Sequence, residues 1–299
     1  MPTAKRTLLA SLTTLTAVLV AGCSGGSGGS EASAGTDGGG GGGGFGECEL
    51  YGEAGSIELE PVTDGVFTVQ TNLPSPGWWK GETPESINGG YEYCLAANVA
   101  HRAGLDSLRV DNVSFDALVA GQTQDFDMAM AQISVTPERE EVVTFSAPYF
   151  DSNIGVLAPP DAGIDEGNLA SKRIGVQLGT TAVEFAQGEL APEQEVQVFP
   201  DTTALVTAVS SGVVDAAVMD TAILLAFAKN SGGTLEVVGQ YESGESYAAI
   251  YPKDSPNGDA ISGAIEAMRE DGTLDELSAT WLGPELGGDP AAVPVWSVQ

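Results

Sequence analysis

The chain has 299 residues, 42% of them hydrophobic, which is enough for one or two domains with their own cores. It carries 42 acidic against 11 basic residues, a formal net charge of −31 at pH 7. Nucleic acids and anionic headgroups are bound by clusters of Lys and Arg, so the charge argues against both as partners. We expect it to keep an exported protein soluble, with a specific cationic partner as the alternative.

The N-terminus has the pattern of an export signal. Lys5 and Arg6 precede an apolar run at 8–20, which has the length of a signal-peptide core and is short for a membrane span. The run ends in LVAGC, whose small residues before Cys23 resemble a bacterial lipobox. We therefore predict a lipoprotein signal peptide at 1–22 and lipid attachment at Cys23, on the extracytoplasmic face of the cell membrane (cell surface or periplasm). The alternative is an ordinary cleaved signal with a free Cys23.

A flexible segment and two further cysteines follow. Residues 23–46 are rich in Gly and Ser and cannot bury a core, so we predict a tether between lipid and globular protein. Two cysteines, Cys48 and Cys94, remain besides Cys23. An even number of such cysteines in an exported protein predicts a disulfide. A buried free Cys94 is the alternative. Two Cys and one His are too few ligands for a metal site, and no cofactor motif is present.

Short apolar strands alternate with helices along the rest of the chain, which predicts an α/β fold with parallel strands. The predicted strands are Val66–Thr71, Ser107–Asn112, Phe126–Met130, Arg173–Leu178, Glu195–Phe199, Asp215–Met219, Leu235–Val238 and Tyr247–Tyr251. The predicted helices are Leu95–Ala103, Phe115–Gly121, Pro137–Glu141, Ala182–Gln187, Thr202–Ser210, Thr221–Lys229, Asp259–Glu270 and Leu274–Trp281.

Two helix–strand units share a spacing that suggests two lobes of like construction. Asp127 and Asp215 each stand between a helix and an apolar strand, and a polar residue follows five positions later, Gln132 or Asp220. Ligands of open α/β sheets bind beyond the carboxyl ends of the strands. We therefore expect Gln132 and Asp220 to face each other across a cleft, and Asp127 and Asp215 to have structural roles.

Two short stretches are candidates for binding an anion. Arg139 lies in a Pro-initiated turn close to Ser134 and is the one basic residue between positions 110 and 171. Its guanidinium fork suits a carboxylate, although a solvated ion pair with neighbouring glutamates is the alternative. Thr181 closes a Gly-Thr-Thr turn between a strand and a helix, where backbone N–H groups favour anions and simple helix capping would explain the residues equally well.

The run DMAMAQISVTPEREEVVTFSAPYF at Asp127–Phe150 resembles the signature of the family 3 extracellular solute-binding proteins, the polar amino-acid receptors of ABC importers. The resemblance extends over about 66–283. It implies a two-lobed, type II periplasmic-binding-protein-like fold, with two mixed sheets flanked by helices and two hinge crossovers, at Phe145–Gly155 and Glu242–Ser246. Lobe 1 is then 47–153 completed by 245–287, lobe 2 is 154–244, and 288–299 is a loosely docked tail.

The resemblance also assigns roles in binding. Arg139 with Ser134 would bind the ligand's carboxylate, Thr181 would donate from lobe 2, and Asp220 would hold the ammonium. Phe115 matches the aromatic residue that stacks on the ligand side chain. One of two adjacent Trp residues is expected to pack while the other stays available, so Trp78 is a second aromatic candidate. Cys94 replaces an Asp of the family pattern, a departure that fits the disulfide.

The expected partners are an amino acid, an ABC permease and its ATPase, with the protein as a monomer. A glutamate-like ligand would need a further cation, so Gln132 and the aromatic residues favour a neutral polar amino acid or an amide. The alternative function is an enzyme on the same scaffold, similar to cyclohexadienyl dehydratases. We expect no enzyme, because such a catalyst needs a general acid and has no use for an ammonium-binding Asp220.

Overall fold

The computed structural model describes residues 44–298. The predicted signal peptide, the lipid-attachment residue Cys23 and most of the predicted tether lie outside the described residues. Within 44–298, none of the helices has the length and hydropathy that a membrane span requires.

Eight strands and nine helices are found in this part of the chain. The strands are β1 Val66–Thr71, β2 Ser107–Asn112, β3 Met128–Ala129, β4 Val143–Ala158, β5 Ile174–Gln177, β6 Gln197–Phe199, β7 Ala216–Asp220 and β8 Glu236–Pro252. The helices are α1 Tyr91–Arg102, α2 Phe115–Val119, α3 Pro137–Glu140, α4 Thr181–Glu184, α5 Thr202–Ser210, α6 Thr221–Asn230, α7 Gly258–Glu270, α8 Thr273–Leu277 and α9 Gly283–Leu286.

The strands are hydrogen-bonded in the order β2-β1-β3-β8-β4-β7-β5-β6. At one end β1 pairs in parallel with β2 and β3, and at the other end β5 pairs in parallel with β6 and β7. The first lobe consists of β1–β3 with α1–α3 and α7–α9, and the second lobe of β5–β7 with α4–α6. The antiparallel pair β4 and β8 lies between the two groups and joins them.

The two predicted crossovers are parts of long strands. β4 has 16 residues and β8 has 17, and they pair antiparallel over most of their length. The register shifts around Pro148 and again between Ser152 and Ile154, which bends the ribbon where the chain passes from one lobe to the other. The sheets of the two lobes are therefore joined through the crossovers, which short-range patterns had divided into separate strands and loops.

Each lobe has its own apolar core. In the first lobe, α1 packs against α7 through residues such as Leu95, Val99 and Ile265. In the second lobe, separate clusters cover both faces of the sheet, and Val176 and Ala217 lie on opposite sides. Parallel strands buried on both faces are expected to be apolar, as β5 and β7 are except at their last residues, Gln177 and Asp220.

Both adjacent tryptophans are buried, so the expectation that one of them stays available is wrong. Trp78 and Trp79 are 0% and 1% exposed. Trp78 lies edge-on to the rings of Tyr91 and Tyr247, while the indole N–H of Trp79 donates to Glu92 at 2.7 Å. Gly90 adopts φ +107°, and a Cβ there would lie 2.4 Å from the carbonyl oxygen of Trp78. The lack of a side chain at this position lets the tryptophan loop fold onto the start of α1.

The two aspartates assigned a structural role have one. The carboxylate of Asp127 accepts from the backbone N–H groups of Val62 and Thr68, both at 2.8 Å, and ties the segment before β1 to β3. Asp215 forms a two-pronged ion pair with Arg173, which precedes β5.

The C-terminal segment is docked, in contrast to the loose tail that was expected. Val295 forms a parallel bridge with Gln240 of β8, and the backbone N–H of Trp296 donates to the Gln240 carbonyl at 2.7 Å. The indole of Trp296 lies over Gly239, where a Cβ would meet ring atoms at 2.0 Å, and edge-on to Tyr241. The Gly and Pro content of this segment predicted a loose tail, although its one aromatic side chain packs against β8.

Cys48 and Cys94 form the predicted disulfide, with their Cα atoms 5.2 Å apart. The bond connects the segment before β1 to α1, and Cys94 is fully buried in the first-lobe core.

Replacing both cysteines by alanine is expected to lower the free energy of unfolding by about 4 kcal/mol, because the bond closes a loop with a sequence separation of 46. Urea unfolding of the variant and of the oxidised wild type measures the difference. Reduced wild type is the matched control and should unfold like the variant. Identical midpoints for oxidised wild type and variant would contradict a stabilising role.

Candidate functional site

A cavity lies between the two lobes and is lined by residues of both. It lies beyond the carboxyl ends of β1, β3, β5 and β7, as expected for ligand sites of α/β sheets. The residues that line it are Asn72, Pro74, Ser75, Phe115, Ala131, Gln132, Ser134, Arg139, Gln177, Thr180, Thr181, Thr202, Met219, Asp220 and Ile223.

The cavity brings together six of the seven residues predicted to bind a ligand. Gln132, Ser134, Arg139 and Phe115 come from the first lobe, and two more, Thr181 and Asp220, come from the second lobe. The seventh, Trp78, does not line the cavity. It is enclosed by aromatic rings of the first-lobe core and of the β4–β8 ribbon.

Arg139 is a buried cation with unused donors. It is 8% exposed, and α3 places it there because Thr136 caps this helix through the Arg139 N–H. Its guanidinium donates to the carbonyl of Ser134 at 2.5 Å and to that of Gly179 in the second lobe at 2.9 Å. Two of its five N–H groups are thus used, and none of the described carboxylates lies within 4 Å of it. The solvated ion pair considered from the sequence is therefore not formed.

The surroundings of Arg139 suit an anionic ligand. Burial lowers the pKa of the guanidinium, and the negative charge of Asp220 opposes this effect. An arginine stays protonated at physiological pH in either case. The guanidinium carbon lies 5.6 Å from the centre of the Phe115 ring, so one face of the cation is covered by an aromatic side chain.

The hydroxyls of Ser134 and Thr181 have a partner in the protein, which sequence reasoning did not find. Both donate to the same carboxylate oxygen of Glu245, at 2.5 Å and 3.0 Å. Glu245 lies on β8 and thus connects the two lobes at the back of the cavity. Among the described residues, the backbone N–H groups of Ser134 and Thr181 have no backbone acceptor. These N–H groups, rather than the hydroxyls, are the donors left for a ligand.

Asp220 is the second buried charge of the cavity. It is the last residue of β7 and is 4% exposed, and its carboxylate accepts from the Tyr247 hydroxyl at 2.5 Å. Burial and the nearby charge of Glu245 raise the pKa of Asp220 to about 7, although Tyr247 and Arg139 favour the ionised form. Asp220 is therefore a carboxylate whose charge lacks a cationic contact within the described part of the chain.

Gln132 is held by a buried glutamate that sequence reasoning also missed. Gln132 adopts φ +52°, and both its backbone N–H and its Nε2 donate to Glu92, at 2.8 Å and 2.6 Å. Trp79 and the Tyr149 hydroxyl donate to the same carboxylate, and burial raises the pKa of Glu92 to about 7. Charge-assisted hydrogen bonds thus fix the backbone at the end of β3.

The remaining polar residues of the cavity are uncharged. Gln177 is 1% exposed and accepts from the hydroxyl of Thr202 at 2.6 Å through Oε1. Ser75 donates to Oε1 of Gln132 at 2.8 Å, and Asn72 donates through Nδ2 to the Val113 carbonyl at 2.9 Å. In residues 44–298, no group of three or more His, Cys, Asp or Glu is arranged to hold a metal ion.

Sequence signals for the missed residues were weak for a physical reason. Glu92 and Glu245 lie among many other glutamates, and nothing in their neighbours along the chain marks them as buried or as bridging. Gln177 follows an apolar strand, and this position at the carboxyl end of β5 was the one available signal. Glu92 contacts Gln132, Glu245 contacts Ser134, and Gln177 contacts Thr202, in each case a residue at least 25 positions away.

The fold and cavity define a two-lobed α/β binding protein that encloses a small ligand between its lobes. A family model described as bacterial extracellular solute-binding proteins, family 3, matches residues 80–284, and the chain belongs to this family. The predicted class is thereby confirmed, and the fold is the type II periplasmic-binding-protein fold. The chain is therefore a solute-binding protein, and the relatives it matches are named as amino-acid-binding proteins rather than enzymes.

Relatives and solved structures agree on this class. The arginine-binding extracellular protein ArtP of Bacillus subtilis is 28% identical over 199 residues, 64% of this chain and 77% of ArtP. The glutamate-binding protein GluB of Corynebacterium efficiens is 25% identical over 254 residues, 78% of this chain and 84% of GluB. An ancestral arginine-binding protein bound to glutamine superposes with a TM-score of 0.66 at 29% identity, covering 74% of this chain and 99% of that one.

The raised pKa of Asp220 predicts a pH-dependent effect of Asp220→Asn on the unliganded protein. Because the folded state binds this proton more tightly than the unfolded state, the wild type loses stability as the pH rises through about 7. The asparagine does not ionise and still accepts from Tyr247. The variant should therefore gain stability relative to wild type between pH 5 and pH 8, as measured by thermal unfolding at both values. A difference that does not change with pH would show that Asp220 titrates normally.

Proposed function

We propose that this protein is a lipid-anchored extracytoplasmic receptor, which binds a polar amino acid between its lobes and delivers it to an ABC import permease and its ATPase. Relatives of this chain are named as binding proteins for arginine, L-cystine and glutamate. The proposal assigns one charged group of the cavity to each charged group of an α-amino acid.

The observation that carries the proposal is the state of Arg139. Three of its five N–H groups have no partner among the described residues, although the side chain is buried. Leaving donors of a buried cation unpaired is costly, and a carboxylate is the group that a guanidinium fork fits best. The free backbone N–H groups of Ser134 and Thr181 line the same cavity and supply further donors. We assign the α-carboxylate of the ligand to this position.

Asp220 supplies the opposite charge. An ammonium group in contact with it would replace the missing cation and favour the ionised carboxylate. Gln132, fixed by Glu92, forms the first-lobe wall of the cavity, and Phe115 offers a ring against which a ligand side chain packs. Trp78 is not assigned to ligand contact, because it is fully buried outside the cavity.

Because the two charged residues lie on different lobes, the proposed binding mode requires the lobes to close around the ligand. Arg139 belongs to the first lobe and Asp220 to the second, so a zwitterion satisfies both only when the lobes are together. The ribbon of β4 and β8 is the connection about which the lobes would move. Glu245 on that ribbon contacts Ser134 and Thr181, one from each lobe, and adds to the closed arrangement.

The anchor and the transporter belong to the proposal as well. Cys23 would carry the lipid, and the tether of 23–46 would reach about 25 Å, so that a monomeric receptor samples the membrane surface near its permease. The disulfide between Cys48 and Cys94 fits an oxidising extracytoplasmic compartment.

Arg139→Ala is expected to weaken amino-acid binding by more than about 100-fold, because removing one partner of a buried charged contact costs about 3–5 kcal/mol. Titration calorimetry of the soluble chain from residue 24 measures the affinity, after a thermal-shift screen of the twenty amino acids has identified the ligand. Arg109→Ala is the matched control, because Arg109 is exposed and paired with Asp111. Equal loss in both variants, or none in Arg139→Ala, would refute the assignment.

Cys23→Ser is expected to move the protein from the membrane fraction to the soluble extracytoplasmic fraction. The serine cannot carry a thioether-linked lipid, and no helix within 44–298 would hold the chain in a membrane. Immunoblots of fractionated cells measure the distribution. A variant with Ala at positions 48 and 94 is the control and should remain with the membrane. Membrane retention of a Cys23→Ser protein from which residues 1–22 have been removed would exclude the lipid anchor.

A further inference from the structure

We infer that the amino acid bound in this cavity has an uncharged side chain with a hydrogen-bonding group, and that a carboxamide fits it best. This inference rests on the proposed function, because it assumes that the α-carboxylate binds Arg139 and the α-ammonium binds Asp220.

The first argument is the charge of the cavity. Of the fifteen residues that line it, Arg139 and Asp220 are the only ones with a formal charge. Both are used by the two charged groups that every α-amino acid has. A third charge on the ligand side chain would be enclosed without a counter-ion, and burying an unpaired charge is strongly unfavourable. Lysine-, arginine-, aspartate- and glutamate-like side chains are therefore disfavoured.

Two carboxylates near the cavity, those of Glu245 and Glu92, do not add a charge to its lining. Glu245 lies behind Ser134 and Thr181, and the oxygen that reaches them is already used by both hydroxyls. Glu92 is fully buried, and its two oxygens accept from Trp79, Tyr149 and Gln132. Neither glutamate lines the cavity, so a basic side chain enclosed there would not contact either carboxylate.

Lys80, Lys172 and Arg173 are further cations of the chain, and all three lie outside the cavity lining. Lys80 is exposed and pairs with Glu47, and Arg173 pairs with Asp215 at the start of the second lobe. Lys172 lines a separate surface depression. The part of the chain that the structure describes thus offers an acidic ligand no second cation at the cavity wall.

The second argument is a pair of unused amide atoms. Gln177 is buried and uses Oε1 to accept from Thr202, while its Nε2 has no partner among residues 44–298. Asn72 uses Nδ2 to donate to the Val113 carbonyl, and its Oδ1 has no described partner. Both side chains line the cavity, and each has one amide atom left for a ligand. A carboxamide offers the complementary acceptor and donor, and a hydroxyl offers both on a single atom.

A site that forms hydrogen bonds discriminates against ligands that lack the matching groups, because its own buried polar atoms are then left unpaired. Leucine and methionine should bind weakly for this reason. Arginine and glutamate should bind weakly because their side-chain charge would be enclosed without a counter-ion. The relative ArtP is named for arginine, and a similar solved structure is bound to L-arginine. In this chain the corresponding preference is expected to be for glutamine or asparagine.

The test compares affinities of the soluble chain for glutamine, asparagine, serine, arginine, lysine, glutamate and leucine at pH 8. Titration calorimetry is expected to give a carboxamide ligand the tightest binding, at least about 100-fold tighter than any charged side chain. Tighter binding of arginine, lysine, glutamate or leucine overturns this inference and leaves the proposed function intact. Binding of none of the twenty amino acids overturns the proposed function itself.

A charge placed at the two amide positions tests the assignment of the site. Gln177→Glu and, separately, Asn72→Asp are each expected to weaken carboxamide binding at least tenfold and to improve the arginine-to-glutamine affinity ratio at least tenfold. Gln122→Glu makes the same charge change at an exposed position outside the cavity and should leave the ratio unchanged. Asn72 is only half-buried, so Asn72→Asp remains informative if Gln177→Glu fails to fold. A ratio unchanged in a folded Asn72→Asp protein overturns the assignment.

Discussion

The need to satisfy a buried guanidinium organises the site. Arg139 is enclosed by Phe115, by two carbonyl groups and by the second lobe, yet several of its N–H groups and its charge lack a protein partner. A folded protein tolerates a buried cation where an anion pairs with its charge and accepts its hydrogen bonds. Because one of the two carbonyls belongs to Gly179 of the second lobe, the guanidinium that we propose as the receptor of the anion also connects the two lobes.

Two glutamates support this arrangement from outside the cavity. Glu92 accepts hydrogen bonds from Trp79, from Tyr149 of β4 and from Gln132, and so fixes the position of Gln132 in the first-lobe side of the cavity. Glu245 collects hydroxyl donors from both lobes and stands on the ribbon that joins them. Both carboxylates hold residues that line the cavity, and the charge of Glu245 also raises the pKa of Asp220.

Local patterns predicted much of this molecule. Periodicity placed β1, β2 and α5 at their observed bounds, and the pairing of Cys48 with Cys94 followed from counting. β3 is shorter than its apolar run, because pairing with neighbouring strands rather than hydrophobicity ends it. The crossovers were predicted as connections but form paired strands, since strand pairing depends on a partner about 100 residues away.

The sequence by itself determined the family, the two-lobe plan and six residues of the cavity, because these are properties of runs and spacings along the chain. Only the tertiary structure decided that Trp78 is core, that the hydroxyls of Ser134 and Thr181 belong to Glu245, and that the last aromatic, Trp296, covers β8. The physical reason is the same in each case. Burial and hydrogen-bond partners depend on segments that are distant in sequence, and no local pattern encodes which of them will meet.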